Sequence, residues 1–504
     1  MAIRVASIDI PETHYGDNAA SAQAAVELPK AHLQASEGDV NPENALRTLA
    51  EGFDGEVILP EAADYESARR VWNQLIDRKP AAIARCQTRG DAVSALAAAR
   101  DTGLEVAVRG GGHSFPGFST TEGGLVLDLG PMKQIVVDAE QRTARVGPGV
   151  RWGELTSATA RHGLVPVGGH VADVGVAGLT LGGGNGWFAR VFGLACDNLV
   201  AADVLTASGR IVRASADENQ DLYWGLRGGG GNLGVVLELT LRLHPVDRLL
   251  GGLVLHRLDD AAEVLRFLAQ YGRNAPDEVN VAPAILAAPP APFVPQELHG
   301  KPVLALAMCY VGPVSDGERE LAPVRGFGKP FADLAEPTSF EVLQHMFDAQ
   351  GQSTPYHMRS HLGGPITEEL IGAVIDFGGR LSSPENGVLL LPMGGAVAGV
   401  AADATAFRHR EASYCLEIGA AWSADDENPQ RHIDWADQLW AATRSWATGV
   451  EVNHLADEGP EGVRRAYGDN YDRLAEIKRA WDPDNLFRLN QNVPPAVAEG
   501  GRKT

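Results

Sequence analysis

The chain has 504 residues, 44% of them hydrophobic and 6% aromatic, with 43 Lys and Arg set against 65 Asp and Glu. A formal net charge of −22 leaves no basic excess to displace phosphate counterions, which argues against general nucleic-acid binding. The length exceeds what one hydrophobic core supports, so two or more domains are expected, and the 58 glycines are clustered rather than scattered.

Residues 1–45 are rich in Ala, Asp and Glu without periodicity and read as an N-terminal arm. Arg4 and Asp9 interrupt any apolar leader there. Helical spacing predicts helices over Glu43–Glu51 and Ala62–Ile76, the second from Tyr65, Ala68, Trp72 and Leu75. A strand at Ala81–Cys86, a helix at Asp91–Thr102 and a strand at Glu105–Arg109 follow, and the last runs into Gly110-Gly111-Gly112-His113-Ser114. Strands at Leu125–Leu129, Gln134–Asp138 and Thr143–Val146 precede a helix at Trp152–His162 and a glycine-rich stretch, Val167–Gly186. Asn198–Ala207 and Arg210–Ala214 form a hairpin about Ser208-Gly209, and a short helix at Leu222–Leu226 leads to the strand Val235–Leu243.

From Leu250 the glycine density falls. Strands at Gly251–His256, Pro302–Val311, Val388–Pro392 and Tyr414–Trp422 alternate with helices at Ala261–Tyr271, Glu368–Gly378 and His432–Trp446. This pattern predicts a second, strand-rich domain with helices on one face, and Ala287–Pro295 reads as an exposed loop. The closing stretch, Asn470–Val493, holds a helix and the polar run Asn490-Gln491-Asn492. Four cysteines (Cys86, Cys196, Cys309, Cys415) stand far apart, which excludes a disulfide scaffold and fits a reducing, cytoplasmic setting. No stretch is long and apolar enough for a membrane span, and no histidine–acid spacing marks a metal site.

Three glycine clusters differ in meaning. Gly229–Gly234 matches GxGxxG, but the alternating run VVLELTLRL follows it where a dinucleotide-binding turn needs a helix. Gly110–Ser114 follows a strand, and its successive amides suit a concave nest for an anion. It lacks the lysine of a phosphate-transferring loop, so a bound cofactor's pyrophosphate is the better reading. Gly168–Gly186 carries apolar anchors at Val174, Val176, Leu179, Leu181 and Trp187, which a flexible linker lacks. It reads as a loop wrapping a large flat ligand.

The runs RGGGHSFPGFS, DVGVAGLTLGGGNGW, GLACDN and DENQDLYWGLRGGGGNLGVV, with the closing YGDNYDRLAEIKRAWDPDNLFRLNQNV, resemble the berberine-bridge-enzyme-like FAD-linked oxidases of the vanillyl-alcohol-oxidase superfamily. The resemblance implies an α+β chain with a two-subdomain PCMH-type FAD-binding domain and a substrate domain whose antiparallel sheet is covered by helices. Its divisions would be an arm at 1–45, an FAD-binding domain at 46–247 (core 79–247), a substrate domain at 248–455, and a segment at 456–504 completing the FAD-binding domain. It further implies that His113 bonds covalently to the flavin's 8α-methyl and that Arg109, Gly110, Gly111, Gly112, Ser114 and Gly117 surround the pyrophosphate. Further cofactor contacts would come from Gly147, Gly149, Val174, Gly175, Gly178, Gly182, Gly183, Asp197, Asn198, Val235, Val236, Asn490 and Asn492. Val171 stands where many members carry a second, cysteinyl link, so a single link through His113 is expected. Valine at position 174 matches the small residue of members that use O2 and release H2O2.

On the substrate side the pattern departs from the family, because Glu451 replaces a tyrosine. If Gly449–His454 is a strand, Glu451 and Asn453 share a face and His454 lies opposite. Glu451 is then a general base, a surface glutamate or a partner for Arg359, and Arg359 either pairs with it or binds an anionic group. Tyr356 is a further catalytic candidate, with His357 and His361 nearby. The activity implied is oxidation of a small hydroxyl-bearing substrate such as a sugar, alcohol, phenol or secondary metabolite. The alternatives are a dehydrogenase or amine oxidase of the same fold, or an FAD-binding protein without turnover. Neither nucleic acid nor membrane is an expected partner, and the oligomeric state is open.

Overall fold

The computed structural model describes residues 41–348 and 353–497. Residues 1–40 of the expected arm lie outside the described residues. The architecture is α+β and is built on three sheets.

The first sheet has the order Glu56–Ile58, Ala82–Arg85, Leu125–Asp128, Val106–Arg109. Its last three strands are parallel, and a crossover helix, Arg89–Thr102, makes that possible. Thr88 and Asp91 form a capping box at its start, and Gly103 ends it at φ +68°. The second sheet is antiparallel, in the order Ile135–Asp138, Thr143–Val146, Val235–Pro245, Leu199–Leu205, Ile211–Ser215, with Leu164–Pro166 also pairing to Val235–Pro245.

The third sheet is antiparallel and has nine strands. Pro302–Tyr310, Val279–Ala287, Gly387–Pro392, Tyr414–Ala421 and Tyr356–Gly363 form its middle in that order. Alternation divides its residues between two layers. Leu304, Leu306, Val388, Leu390, Leu416 and Ile418 pack under the helices Ala261–Tyr271, Glu368–Gly378 and Gln430–Ala442. Ala282, Ala284, Ala305, Ala307 and Leu391 face the glycine-rich half and join a core that includes Trp187 and Phe188.

One expected element is shortened and one strand was not expected. Only Tyr65–Ala68 of the predicted Ala62–Ile76 helix is helical. Asn73 instead donates to the carbonyls of Phe115 and Tyr356 at 2.8 and 2.9 Å and accepts from the Tyr356 amide at 3.1 Å, holding this segment as a strap between the loop after Arg109 and the third sheet. Val279–Ala287 is a fully buried central strand that the sequence pattern missed.

The C-terminal helix Tyr471–Trp481 is tied back by Lys478. This fully buried ammonium donates to the carbonyls of Asn232 and Phe487 at 2.7 and 2.9 Å and to Asp482 at 2.5 Å. No helix among the described residues is long and apolar enough to cross a membrane. All four cysteines are buried and unpaired.

Candidate active site

A cavity of about 810 Å³ lies between the glycine-rich half and the third sheet. Gly110–Ser114, the stretch around Gly169–Leu179, and Asn490 with Gln491 line one part; Tyr356, Met358, Leu389, Glu417 and Gly419 line another. The glycines do two different jobs. A side-chain carbon on Gly111 would stand 2.6 Å from the backbone of Gly175, so both glycines permit a close crossing of two chains. At Gly112, with φ +74°, and at Gly178, an added carbon would meet no protein atom within 4 Å. His170 Nε2, both polar atoms of the Asn185 side chain and Asn490 Oδ1 are buried without a hydrogen-bond partner, and all three residues line this cavity. An unmatched buried polar group costs about 1–3 kcal/mol, so this set fits a large polar ligand.

His113 sits at the end of the nest with its ring stacked on Trp72, the centroids 5.1 Å apart. Its Nε2 is 3.1 Å from Asp173. Burial lowers its pKa to about 4, with the Arg151 charge acting in the same direction. The imidazole is therefore neutral near pH 7, the form in which it has a lone pair to offer. Trp72 also packs edge-on against Phe115 and Tyr356.

On the third sheet, strand parity decides which side chains reach the cavity. Tyr356 and Met358 line it, while His357 and Arg359 turn to the helix layer. Arg359 donates to Asp437 at 2.6 Å, lies 3.7 Å from Glu458 and packs over Trp440. The expectation of Arg359 as a cavity residue or partner of Glu451 is thus corrected. His361 is on neither wall, since it stacks on Trp440 and contacts that residue's carbonyl.

Glu451 also stands elsewhere than expected. Residues Val452–His454 form a single turn of 3-10 helix rather than strand, so His454 and Glu451 approach each other instead of facing apart. Glu451 is 1% exposed and does not line the cavity; it accepts from the Gly184 amide at 3.3 Å, and its Oε2 lies 3.5 Å from His454 Nδ1. Two carboxylates line the cavity, Glu385 and Glu417, and the Oε1 of Glu417 is 3.3 Å from His454 Nε2. Burial raises the Glu417 pKa; His454 opposes the rise and the Glu451 charge adds to it. Cys415 Sγ lies 3.8 Å from His454 Nδ1, and burial keeps this thiol well above its ordinary range, a neutral neighbour. The Tyr356 hydroxyl sits against Gly419, where any larger residue would collide with it. Burial raises its pKa, so it stays a phenol.

Of the other expected residues, Val174, Gly175, Gly178 and Asn490 line the cavity, as does Val171. Several others build its frame instead. Arg109 is buried and donates to the carbonyls of Ala68 and Ser119. Asp197 takes a bidentate pair from Arg410, and Asn198 donates to the carbonyls of Phe192 and Leu194. Gly117 packs on Ile76, Gly147 on the Met132 backbone, Gly149 on Leu129 and Gly130, Gly182 on Asn453, and Gly183 on Phe407. Val235 and Val236 pair with Leu205 and Val204 inside the second sheet. Asn492 keeps a buried Oδ1 without a partner but does not line the cavity. Glu417, His170, Asn185 and Asp173 were missed. Glu417 left one signal, a lone carboxylate in the apolar strand YCLEIGAA.

A glycine nest and a histidine thus face a cavity roofed by an antiparallel sheet, an arrangement with room for a large phosphate-bearing cofactor. Residues 80–215 match the family described as FAD binding domain, and residues 452–494 match Berberine and berberine like. The chain is 30% identical to the FAD-linked oxidoreductase YgaK of Bacillus subtilis, over 88% of this chain and 97% of that protein. It is 31% identical to (R)-6-hydroxynicotine oxidase of Paenarthrobacter nicotinovorans, again over 88% and 97%. The crystal structure of 6-hydroxy-D-nicotine oxidase from Arthrobacter nicotinovorans superposes with a TM-score of 0.79 at 28% identity, covering 88% of this chain and 98% of that one. The chain belongs to the berberine-bridge-enzyme-like FAD-linked oxidoreductases, and it is an FAD-dependent oxidase of that family.

Proposed function

We propose that this oxidase carries FAD linked through His113 and oxidises a compact, largely apolar molecule bearing a hydroxyl or amine. The observation that carries the substrate class is the wall of the third sheet. Ala282, Ala284, Ala307, Met358, Leu389 and Leu391 form it, and among the described residues no lysine or arginine lines the cavity. Glu385, Glu417, His454 and Tyr356 are the ionisable groups on that side. Such a wall suits a neutral or cationic substrate over an anionic one, and it offers few partners to the many hydroxyls of an oligosaccharide. The (R)-6-hydroxynicotine oxidase among the relatives is in keeping with this choice.

The orphaned His170, Asn185 and Asn490 atoms and the open faces of Gly112 and Gly178 fit FAD, with the amides of Gly110–Ser114 around its pyrophosphate. When bound, FAD supplies a two-electron acceptor that O2 returns to its oxidised state with release of H2O2, and the small Val174 on the wall leaves room for O2. Glu417 takes the proton from the substrate's O–H or N–H as the adjacent carbon loses hydride. His454 bridges Glu417 to Glu451 and receives or shares that proton. The Tyr356 phenol orients the substrate heteroatom by a hydrogen bond.

The test is peroxide release from purified yellow protein across a panel of secondary amines, benzylic and aliphatic alcohols, hydroxy carboxylates and oligosaccharides. Turnover confined to the compact apolar members is expected. Turnover confined to oligosaccharides or carboxylates overturns the substrate class, colourless protein overturns the enzyme reading, and flavin freed by acid overturns the link through His113.

A further inference from the structure

Asp173 is held between a ring nitrogen and a guanidinium. Its Oδ2 is 3.1 Å from His113 Nε2, and its Oδ1 is paired with Arg151. The backbone around it is pinned on both sides, because the carbonyls of Ala172 and Val174 accept from the amides of Gly153 and Trp152 at 2.8 and 3.0 Å. His113 is thus clamped twice, on its face by Trp72 and on its edge by Asp173. The ring is neutral at pH 7, so it has one N–H and one lone pair. An arginine-paired carboxylate only accepts, which places the hydrogen on Nε2 and leaves the lone pair on Nδ1.

We propose that Asp173 is the positioning residue for flavin attachment: it fixes the Nε2–H tautomer and presents Nδ1 of His113 to the flavin's 8α-methyl, with Arg151 anchoring its carboxylate. This rests on the reading that His113 is the attachment residue. The bond formed joins Nδ1 to the 8α carbon, and the bonds broken are one methyl C–H and the Nε2–H. The two protons and two electrons released reduce dioxygen to hydrogen peroxide, so the sum is imidazole N–H plus methyl C–H plus O2 giving the C–N link and H2O2. Asp173 acts on the hydrogen that leaves Nε2, and it is dispensable once the link has formed.

The experiment measures acid-stable and total flavin separately in purified protein, and follows the acid-stable fraction during incubation with FAD in air. In Asp173→Ala and Asp173→Asn, total flavin is retained while attachment slows by about 10- to 100-fold, by analogy with the loss of a partner behind a metal-bound histidine. Asp173→Glu restores much of the rate. The wild-type aminoacyl-flavin carries its link on Nδ1. Attachment at the wild-type rate in Asp173→Ala, a link on Nε2, or a loss of total flavin with no change in the acid-stable fraction overturns the proposal. Wild-type flavin released by acid is a different failure, since it removes the role of His113 itself.

Discussion

Glu417 Oε1 lies 3.3 Å from His454 Nε2, a contact that joins the middle of the third sheet to the turn after its last strand. On its other side the same imidazole meets Glu451 at 3.5 Å. Glu417→Gln removes the proposed proton acceptor and is expected to lower kcat by about 10²- to 10⁴-fold, with flavin content unchanged. Glu451→Gln acts at a distance. The charge of Glu451 raises the Glu417 pKa, so its removal moves the acid limb of the kcat profile to lower pH. An acid limb that stays in place, or moves upward, refutes this coupling.

Gly111→Ala tests the crossing of the two glycine-rich chains. The new methyl would stand 2.6 Å from the Gly175 backbone, which has no side chain to move aside. Overpacking of this kind costs about 1–3 kcal/mol, and flavin content should fall with it. Gly178→Ala makes the contrast, because its methyl meets no protein atom within 4 Å. In flavin-free protein its urea midpoint should not fall below wild type, since alanine suits the helix Val176–Gly182 at least as well as glycine. Equal midpoints for the two variants would count against the assignment of the crossing.

Lys478→Met leaves Asp482 buried without its cation and the Asn232 and Phe487 carbonyls without a donor. Breaking a buried pair by removing one partner costs about 3–5 kcal/mol. Chemical denaturation should show that loss, and limited proteolysis should cut the C-terminal segment first. A loss below about 1 kcal/mol, the range of an exposed pair, would mean that Lys478 is solvated.

Acid should destabilise the fold by way of its buried histidines. Burial lowers His170, His244 and His361 from an ordinary 6.5 to about 4. Below pH 6.5 the unfolded chain takes up protons at these rings while the folded chain does not, so stability falls from there to about pH 4. Glu417, raised in the folded state, works the opposite way but is a single group. The urea midpoint at pH 4.5 should lie below that at pH 7, and His244→Gln should narrow the gap. A flat profile between the two pH values would contradict this account.

The glycine-rich half was legible because its information is local. A strand followed by Gly110–Ser114 needs only neighbouring residues to be read as a nest, and the helix Ala261–Tyr271 carries its apolar period within its own length. Residues 69–76 deceived because Trp72 packs on Phe115 and Tyr356, giving apolar spacing without a helix. Val279–Ala287 escaped notice because alanine and proline mark strands poorly. The substrate side failed for two reasons. Tyr356 and Arg359 differ by an odd number of positions, so strand parity forbids both from facing one cavity. The pairing of Glu417 with His454 is tertiary, and no spacing in the chain announces it.

The anchoring of Lys478 also orders events in time. Phe487, Leu489, Asn490 and Gln491 belong to the cavity wall, and Lys478 holds the chain that carries them against Asn232. A ribosome making this protein releases those residues only after the whole glycine-rich half and the third sheet. Until then the nascent glycine-rich half has its nest but not its closing wall, and the compartment is completed only once the Lys478 segment has docked. A chain stopped before Phe487 would therefore accumulate as an open half-site, a substrate for chaperones and proteases rather than a weaker oxidase.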